Sequence, residues 1–455
     1  MENNIVFLKE NCHYTRKELN KLGIKSEYIN KMLANGLGNI SLLKNKKISF
    51  QYVGLATFRE LTIVFYPKYI NIIWDKNSSV KKTNYLIDKI AKIIKVLKKY
   101  KSEFFSNYSD GQLINKSTKN KDYTSDIALA DYLLKDYLKN GIYHKRSKEV
   151  EKNSSGRISW EDTIAKADPY FINGKPVYAD VYNKKKNIDR YNDISLIHKW
   201  AVTWSKSKYS KLLGYSNLAL GNDFLDDISY IGDSKYLSSI LEKELFRSYV
   251  DREINLLKVL KELVIRKEYH SQSCNLSLFG TMSFHVVWEK VCSYVFNNQK
   301  DEYNLPKPVW RNNQEEKNKK KEITPKKTLV PDIIRTLDKK RVFYLIDAKY
   351  YSIKFKNGDI INQPGVSDIS KQLLYFKALK EQINRYNQSY NLFVFPKSDL
   401  KGFFDIFGDV NMSFIGEKEV KLIYLSDNKV FNYYINNNKL SRAELKRISI
   451  RLSND

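Results

Sequence analysis

Two apolar, β-branched runs, LVPDIIRTL and RVFYLIDAKYY, flank the turn-forming triplet DKK, and each holds an acid that an apolar strand has little reason to carry. Such runs across a short polar turn predict a β-hairpin, expected at the centre of a sheet. Asp332 follows Pro331 in the first run, while Asp347, Ala348 and Lys349 stand near the end of the second. Side chains alternate across a strand, so Asp347 and Lys349 share a face, and a hairpin neighbour brings Asp332 beside them.

Two carboxylates and an ammonium at one spot suit phosphodiester hydrolysis. The carboxylates of Asp332 and Asp347, with the backbone carbonyl of Ala348, make an all-oxygen donor set for a hard cation, Mg2+, with Mn2+ as a substitute. Lys349 can position or help deprotonate the attacking water and offset charge that develops on the phosphate. Two aspartates in an apolar strand pair are costly to bury without such a cation. Taken apart, the pieces read as a Pro-Asp turn and a surface ion pair. Their spacing, in a basic chain, favours catalysis.

Helices are expected on both sides. SFHVVWEKVCSYVF puts Phe284, Val287, Trp288, Val291 and Val295 on one face, with Glu289 off the middle of that stripe. Glu289 reads equally as a further carboxylate near the metal and as a solvated helix residue. SDISKQLLYFKALKEQ aligns Gln372, Tyr375, Phe376 and Leu379. Core packing accounts for the last two. The amide and the phenol are expected to hydrogen-bond the site lysine or a DNA phosphate.

The chain has 455 residues, 42% hydrophobic and 13% aromatic, enough for about three domains and too apolar for a disordered tail. Its 79 Lys and Arg against 51 Asp and Glu give a net charge of +28, which favours a polyanionic partner, although a lysine-rich base composition supplies part of it. The stretch EEKNKKKEITPKKT reads as a solvated loop whose Lys317, Lys319, Lys320 and Lys321 could touch a phosphate backbone. Three cysteines and five scattered histidines make neither a disulfide framework nor a zinc or iron-sulfur site. No secretory leader or membrane span is legible, and a bacterial cytoplasmic location is expected. No GxxxxGK[ST] loop occurs, the nearest approach being INGKPV, so no bound nucleotide is expected in this chain.

The expected organisation is multidomain, α+β with α/β character. Residues 1–120 form a small mixed module with a Thr15/Glu18 capping box, 121–250 a mainly helical middle region, and 251–455 a mixed sheet flanked by helices.

The PD and DAK pieces, the preceding helix glutamate and the following Gln/Tyr helix resemble the PD-(D/E)xK nuclease superfamily. The Gln372 to Tyr375 spacing is one residue shorter than its RecB-like QxxxY element. VGLATF, YPKY, GRISWEDTI, GTMSFHVVWEKVC, LVPDII, LIDAKYY and SDISKQLLYFKAL, spread over residues 50 to 380, resemble the LlaJI and McrC-like restriction subunits. The resemblance implies a type II or type IV-like restriction endodeoxyribonuclease acting on double-stranded DNA. It implies Asp332 and Asp347 as metal ligands, Lys349 as the catalytic lysine, and Glu289, Gln372 and Tyr375 in support. It further implies an McrB-like AAA+ GTPase acting in trans, contacted by residues 1–120, and two nuclease subunits meeting on DNA. Other readings are a non-cleaving DNA-binding or motor-stimulating subunit, and a stand-alone RecB-like repair nuclease. The lack of a four-cysteine cluster argues against a Cas4-like version of the latter.

Overall fold

The computed structural model describes residues 4–41, 46–58, 61–71, 79–105, 126–189, 192–272, 276–307, 309–311, 322–323, 330–337, 341–356, 358–414 and 419–454. Chain contacts divide it into two compact units, Leu113–Ser277, and Asn4–Gln112 together with Leu278–Asp455. The second unit is therefore built from both ends of the sequence. No helix among the described residues is long and apolar enough to cross a membrane.

Near the N-terminus, a four-stranded sheet runs in the order Asn4–Lys9, Leu61–Tyr66, Val53–Thr57, Ser277–Thr281. The first pair is parallel and the second antiparallel. LTIVFY is buried along its whole length, as its unbroken apolar run requires of an inner strand. Gly54, at φ +143°, and Gly280 meet between the last two strands. A Cβ on Gly54 would lie 2.2 Å from the Phe279 carbonyl oxygen, and one on Gly280 2.3 Å from that of Val53. Only glycine permits that approach. Thr15 and Glu18 close the expected capping box at the start of helix Arg16–Lys21. Leu86, Ile90, Ile93, Ile94 and Leu97 form the buried stripe of helix Ser79–Phe105. That helix packs on helix Asp427–Ile435, where Lys89 pairs with Asp427 at 2.9 Å.

The second sheet of this unit has five strands, in the order Ile333–Leu337, Val342–Ala348, Gln388–Lys397, Val420–Ser426, Phe404–Val410. The outer strands are antiparallel to their neighbours and the inner three are parallel. The hairpin thus forms, but at one edge of the sheet rather than its centre. Its outer strand nevertheless reads as an inner one because its free edge is covered. Gln299 N–H donates to the Ile334 carbonyl at 2.8 Å, Asn298 Oδ1 accepts from Ile334 N–H at 3.0 Å, and Gln299 Oε1 accepts from Thr336 N–H at 3.0 Å.

The unit Leu113–Ser277 is built on helices Asp126–Asn140, Asp193–Leu213, Ser234–Arg247 and Asp251–Gln272, packed around Leu133, Ile197, Trp200, Leu241 and Leu260. It also contains an antiparallel sheet of Lys145–Lys152, Tyr182–Asp189 and Arg157–Ile158, which the sequence reading did not place. KRSKEVEK and YNKKKNID lack the apolar alternation that marks a half-buried strand.

Candidate active site

The hairpin register sets the site. Ile333 lies opposite Ile346, so the next pair outward is Asp332 and Asp347, where the strand pair opens. The Ala348 N–H donates to Asp332 Oδ2 at 2.9 Å, fixing the first carboxylate across the hairpin from the second. Lys349, two residues beyond Asp347 on the same face, places Nζ 2.8 Å from Asp347 Oδ2 and 3.0 Å from Asp368 Oδ1. Its own N–H donates to the Val394 carbonyl at 3.0 Å, so the backbone carrying the lysine is tied to the neighbouring inner strand. Asp332, Asp347 and Lys349 therefore converge as the sequence implied.

The electrostatics are those of an acid pair short of positive charge. Burial, then the hydrogen bond and charge of Asp347, push the Asp332 carboxyl up to about 8, against the pull of the Ala348 amide. Burial by itself would lower Lys349, but Asp347 and Asp368 outweigh it and hold the ammonium above its ordinary range. Among the described residues no three His, Cys, Asp or Glu side chains cluster closely enough to hold a metal ion by themselves. The side-chain donors brought together are the carboxylates of Asp332 and Asp347. That set fits a small hard cation, which keeps waters in its remaining positions, and such a cation would offset the burial and the Asp347 charge that raise the Asp332 carboxyl.

Glu289 and Asp332 both line a polar cleft of about 490 Å³ whose walls include Lys290, Lys300 and Lys439. Burial and the nearby Asp347 raise the Glu289 carboxyl. It thus faces the site without closing a third ligand position. Tyr375 also senses the site: burial first, then the charges of Asp347 and Asp332, raise its phenol. Gln372 does something other than expected. It is fully buried, and its Nε2 donates to Asn391 Oδ1 at 2.7 Å and to the Leu345 and Leu392 carbonyls at 3.4 Å, not to the lysine. Lys317, Lys319, Lys320 and Lys321 lie outside the described residues.

The sequence model of the family described as LlaJI restriction endonuclease matches residues 52–428. The chain belongs to the LlaJI restriction endonuclease family. The type II restriction enzyme BsuMI component YdjA of Bacillus subtilis (strain 168) is 37% identical over 423 residues, covering 90% of this chain and 87% of that protein. Among solved structures, a refined half-complex from a tetradecameric assembly of Thermococcus gammatolerans McrB AAA+ hexamers with bound McrC aligns over 95% of this chain and 99% of its own, at 12% identity and a TM-score of 0.38. The Thermococcus gammatolerans McrBC complex aligns over 57% and 79%, at 13% identity and a TM-score of 0.24.

The span matched to the LlaJI family takes in Glu289, Asp332, Asp347, Lys349, Gln372 and Tyr375, and also Asp368, which the sequence reading missed. Asp368 accepts from Lys349 on one oxygen and, at 3.3 Å, from the Tyr351 O–H on the other. Asp368 and Tyr375 lie seven residues apart on helix Val366–Ala378, within about 20° of one another around the helix axis. Extending the Gln/Tyr face back by one turn would have found it.

Proposed function

We propose that this LlaJI-family chain is the DNA-cleaving subunit of a restriction system, a Mg2+-dependent PD-(D/E)xK endonuclease that hydrolyses phosphodiester bonds of double-stranded DNA. The observation that carries the reading is the convergence of Asp332, Asp347 and Lys349 at the open end of the hairpin. Asp332, Asp347 and the Ala348 carbonyl would hold the cation, which when bound supplies Lewis acidity toward a phosphoryl oxygen and a more acidic water. Lys349 orients the attacking water and places an ammonium where the phosphate gains charge. Asp368 and Asp347 hold Lys349 charged and fix its direction, so it acts as a positioned cation and donor. Glu289, on the wall of the cleft beside Asp332, is a second place for a water to lose its proton.

Cleavage is proposed to depend on an McrB-like AAA+ GTPase supplied in trans. Two things support this: the sequence has no phosphate-binding loop of its own, and segments such as GRISWEDTI and GTMSFHVVWEKVC resemble those of McrC-like subunits. The test is a cleavage assay on duplex DNA with the full chain, in Mg2+, Mn2+ or EDTA, with and without a candidate motor protein and GTP. The expected result is little cutting by the chain alone, strong cutting with motor and GTP, and none in EDTA. Robust cutting by the chain alone removes the motor from the proposal, and cutting in EDTA removes the metal.

A further inference from the structure

A second polar pocket, of about 350 Å³, lies in the same unit as the hairpin. The parallel strands Asn4–Lys9 and Leu61–Tyr66 end together, with Lys9 opposite Tyr66, so Lys9 and the nearby Lys68 reach its edge from one side. Lys354 reaches it from the segment that follows the catalytic strand. Among the described residues none of these three lysines forms an ion pair. Lys9 Nζ donates to Asn71 Oδ1 at 2.8 Å, and Lys68 Nζ lies 4.7 Å above the Tyr350 ring. Glu10 also lines the pocket, but its Oε2 is taken by the Tyr350 O–H and, at 3.0 Å, by the Lys68 N–H. Burial and then the charge of Lys354 lower the Lys9 ammonium, while burial lowers that of Lys68 despite Glu10. Three ammonium groups thus converge on one cavity against a single carboxylate, Glu10, which none of them meets in an ion pair, a costly arrangement that an anion would relieve.

The remaining polar wall, Asn11, Asn71, Ser352 and Asn362, offers amides and a hydroxyl of the kind that bind phosphate oxygens. Tyr351 joins this pocket to the active site. It lines the cavity, and its O–H reaches Asp368, whose other oxygen holds Lys349. Tyr351 therefore bridges an anion seated here to the carboxylate that holds Lys349.

We propose that this pocket binds a backbone phosphate of the DNA strand engaged at the hairpin, so that the N-terminal strands hold the substrate as well as the fold. The inference rests on the nuclease reading for its choice of DNA. Its test does not need cleavage: duplex DNA binding is measured in Asp347→Asn protein without divalent metal. On that background Lys9→Gln with Lys68→Gln is expected to weaken binding about tenfold and to reduce the dependence of affinity on salt by about one phosphate contact. Lys354→Glu, at an exposed position, is the second variant in case the first pair disturbs folding, and it should weaken binding at least as much. Cys12, an exposed free thiol on the same pocket, gives a readout in the otherwise unaltered chain: saturating duplex should slow its alkylation several-fold, followed on its own peptide by mass spectrometry. Unchanged affinity in Lys354→Glu, or unchanged Cys12 alkylation under saturating DNA, overturns the proposal. So does protection by millimolar inorganic phosphate alone with none from DNA, which would mark a small-anion site. A chain that never cuts yet shows these effects loses the nuclease reading and keeps the pocket; a chain that cuts without them loses the pocket alone.

Discussion

Asp332 Oδ2 accepts the Ala348 N–H at 2.9 Å, so the backbone beside one candidate metal ligand fixes the direction of the other. Changing one carboxylate should therefore leave the frame standing. Asp347→Asn is expected to lower cleavage at least about 100-fold, because it removes a ligand's charge at constant volume. Lys349 keeps Asp368, so unfolding temperature should stay within a few degrees of wild type. Thermal unfolding and a cleavage time course on the same sample check this, and wild-type cutting by the variant would remove Asp347 from the site.

Asp368→Asn tests the residue that only the structure revealed. Lys349 would retain Asp347 but lose its second anchor, so turnover should fall about tenfold with metal affinity nearly unchanged. A loss of metal binding instead would mean that Asp368 acts as a ligand and not as a positioning residue.

The hairpin acids were legible because their evidence is local: two apolar, β-branched runs, a short turn and two acids at its open end. Gln372 was misjudged because three residues of helix are not a full turn. Asp368 and Tyr375 lie nearly in line, while Gln372 sits about 40° round from Asp368 and turns into the sheet. Asp368 lies one turn back on the Tyr375 face, but its bond to Lys349 joins a helix start to a strand end, and no sequence period shows that bond. The edge position of the hairpin was hidden by Asn298 and Gln299, whose cover lets an outer strand be as apolar as an inner one. In the other unit the strand around Lys184 has no apolar alternation, so its pairing shows only in three dimensions.

His198 predicts the acid side of the stability curve. It is buried, Nδ1 accepts the Tyr143 N–H at 3.0 Å, and burial lowers its pKa to about 4, with Asp136 opposing and Arg252 and His144 assisting. Between about pH 6.5 and 4 the unfolded chain binds a proton there that the folded chain refuses. Stability should then fall with pH across that window, by up to about 3 kcal/mol, and show no contribution from this group above it. His198→Asn retains an acceptor and removes the titration, so the gap between its unfolding temperature and that of wild type should change through the window. Parallel curves would place the titration elsewhere.

Gly54→Ala should destabilise the unit that carries the site. The added Cβ meets the Phe279 carbonyl oxygen at 2.2 Å and the residue must hold φ +143°, so a loss of at least about 2 kcal/mol is expected in thermal or denaturant unfolding. Gly23→Ala, where φ is +85° but nothing lies within 4 Å of the new carbon, separates backbone strain from steric contact and should cost less.

The contact between Gly54 and Gly280 also sets an order of events during synthesis. Strand Val53–Thr57 leaves the ribosome early, yet its partner Ser277–Thr281 follows only after roughly 220 more residues, on the order of ten seconds or more of translation. For that interval the nascent chain carries an unfilled sheet edge, the kind of template on which neighbouring chains pair wrongly. The residues made meanwhile, those of the unit Leu113–Ser277, have a core of their own and can fold while the first hundred wait. The hairpin Ile333–Ala348 is made later still, and the inner strands Gln388–Lys397 and Val420–Ser426 of its sheet follow it, so the candidate site is complete only when nearly the whole chain has been made.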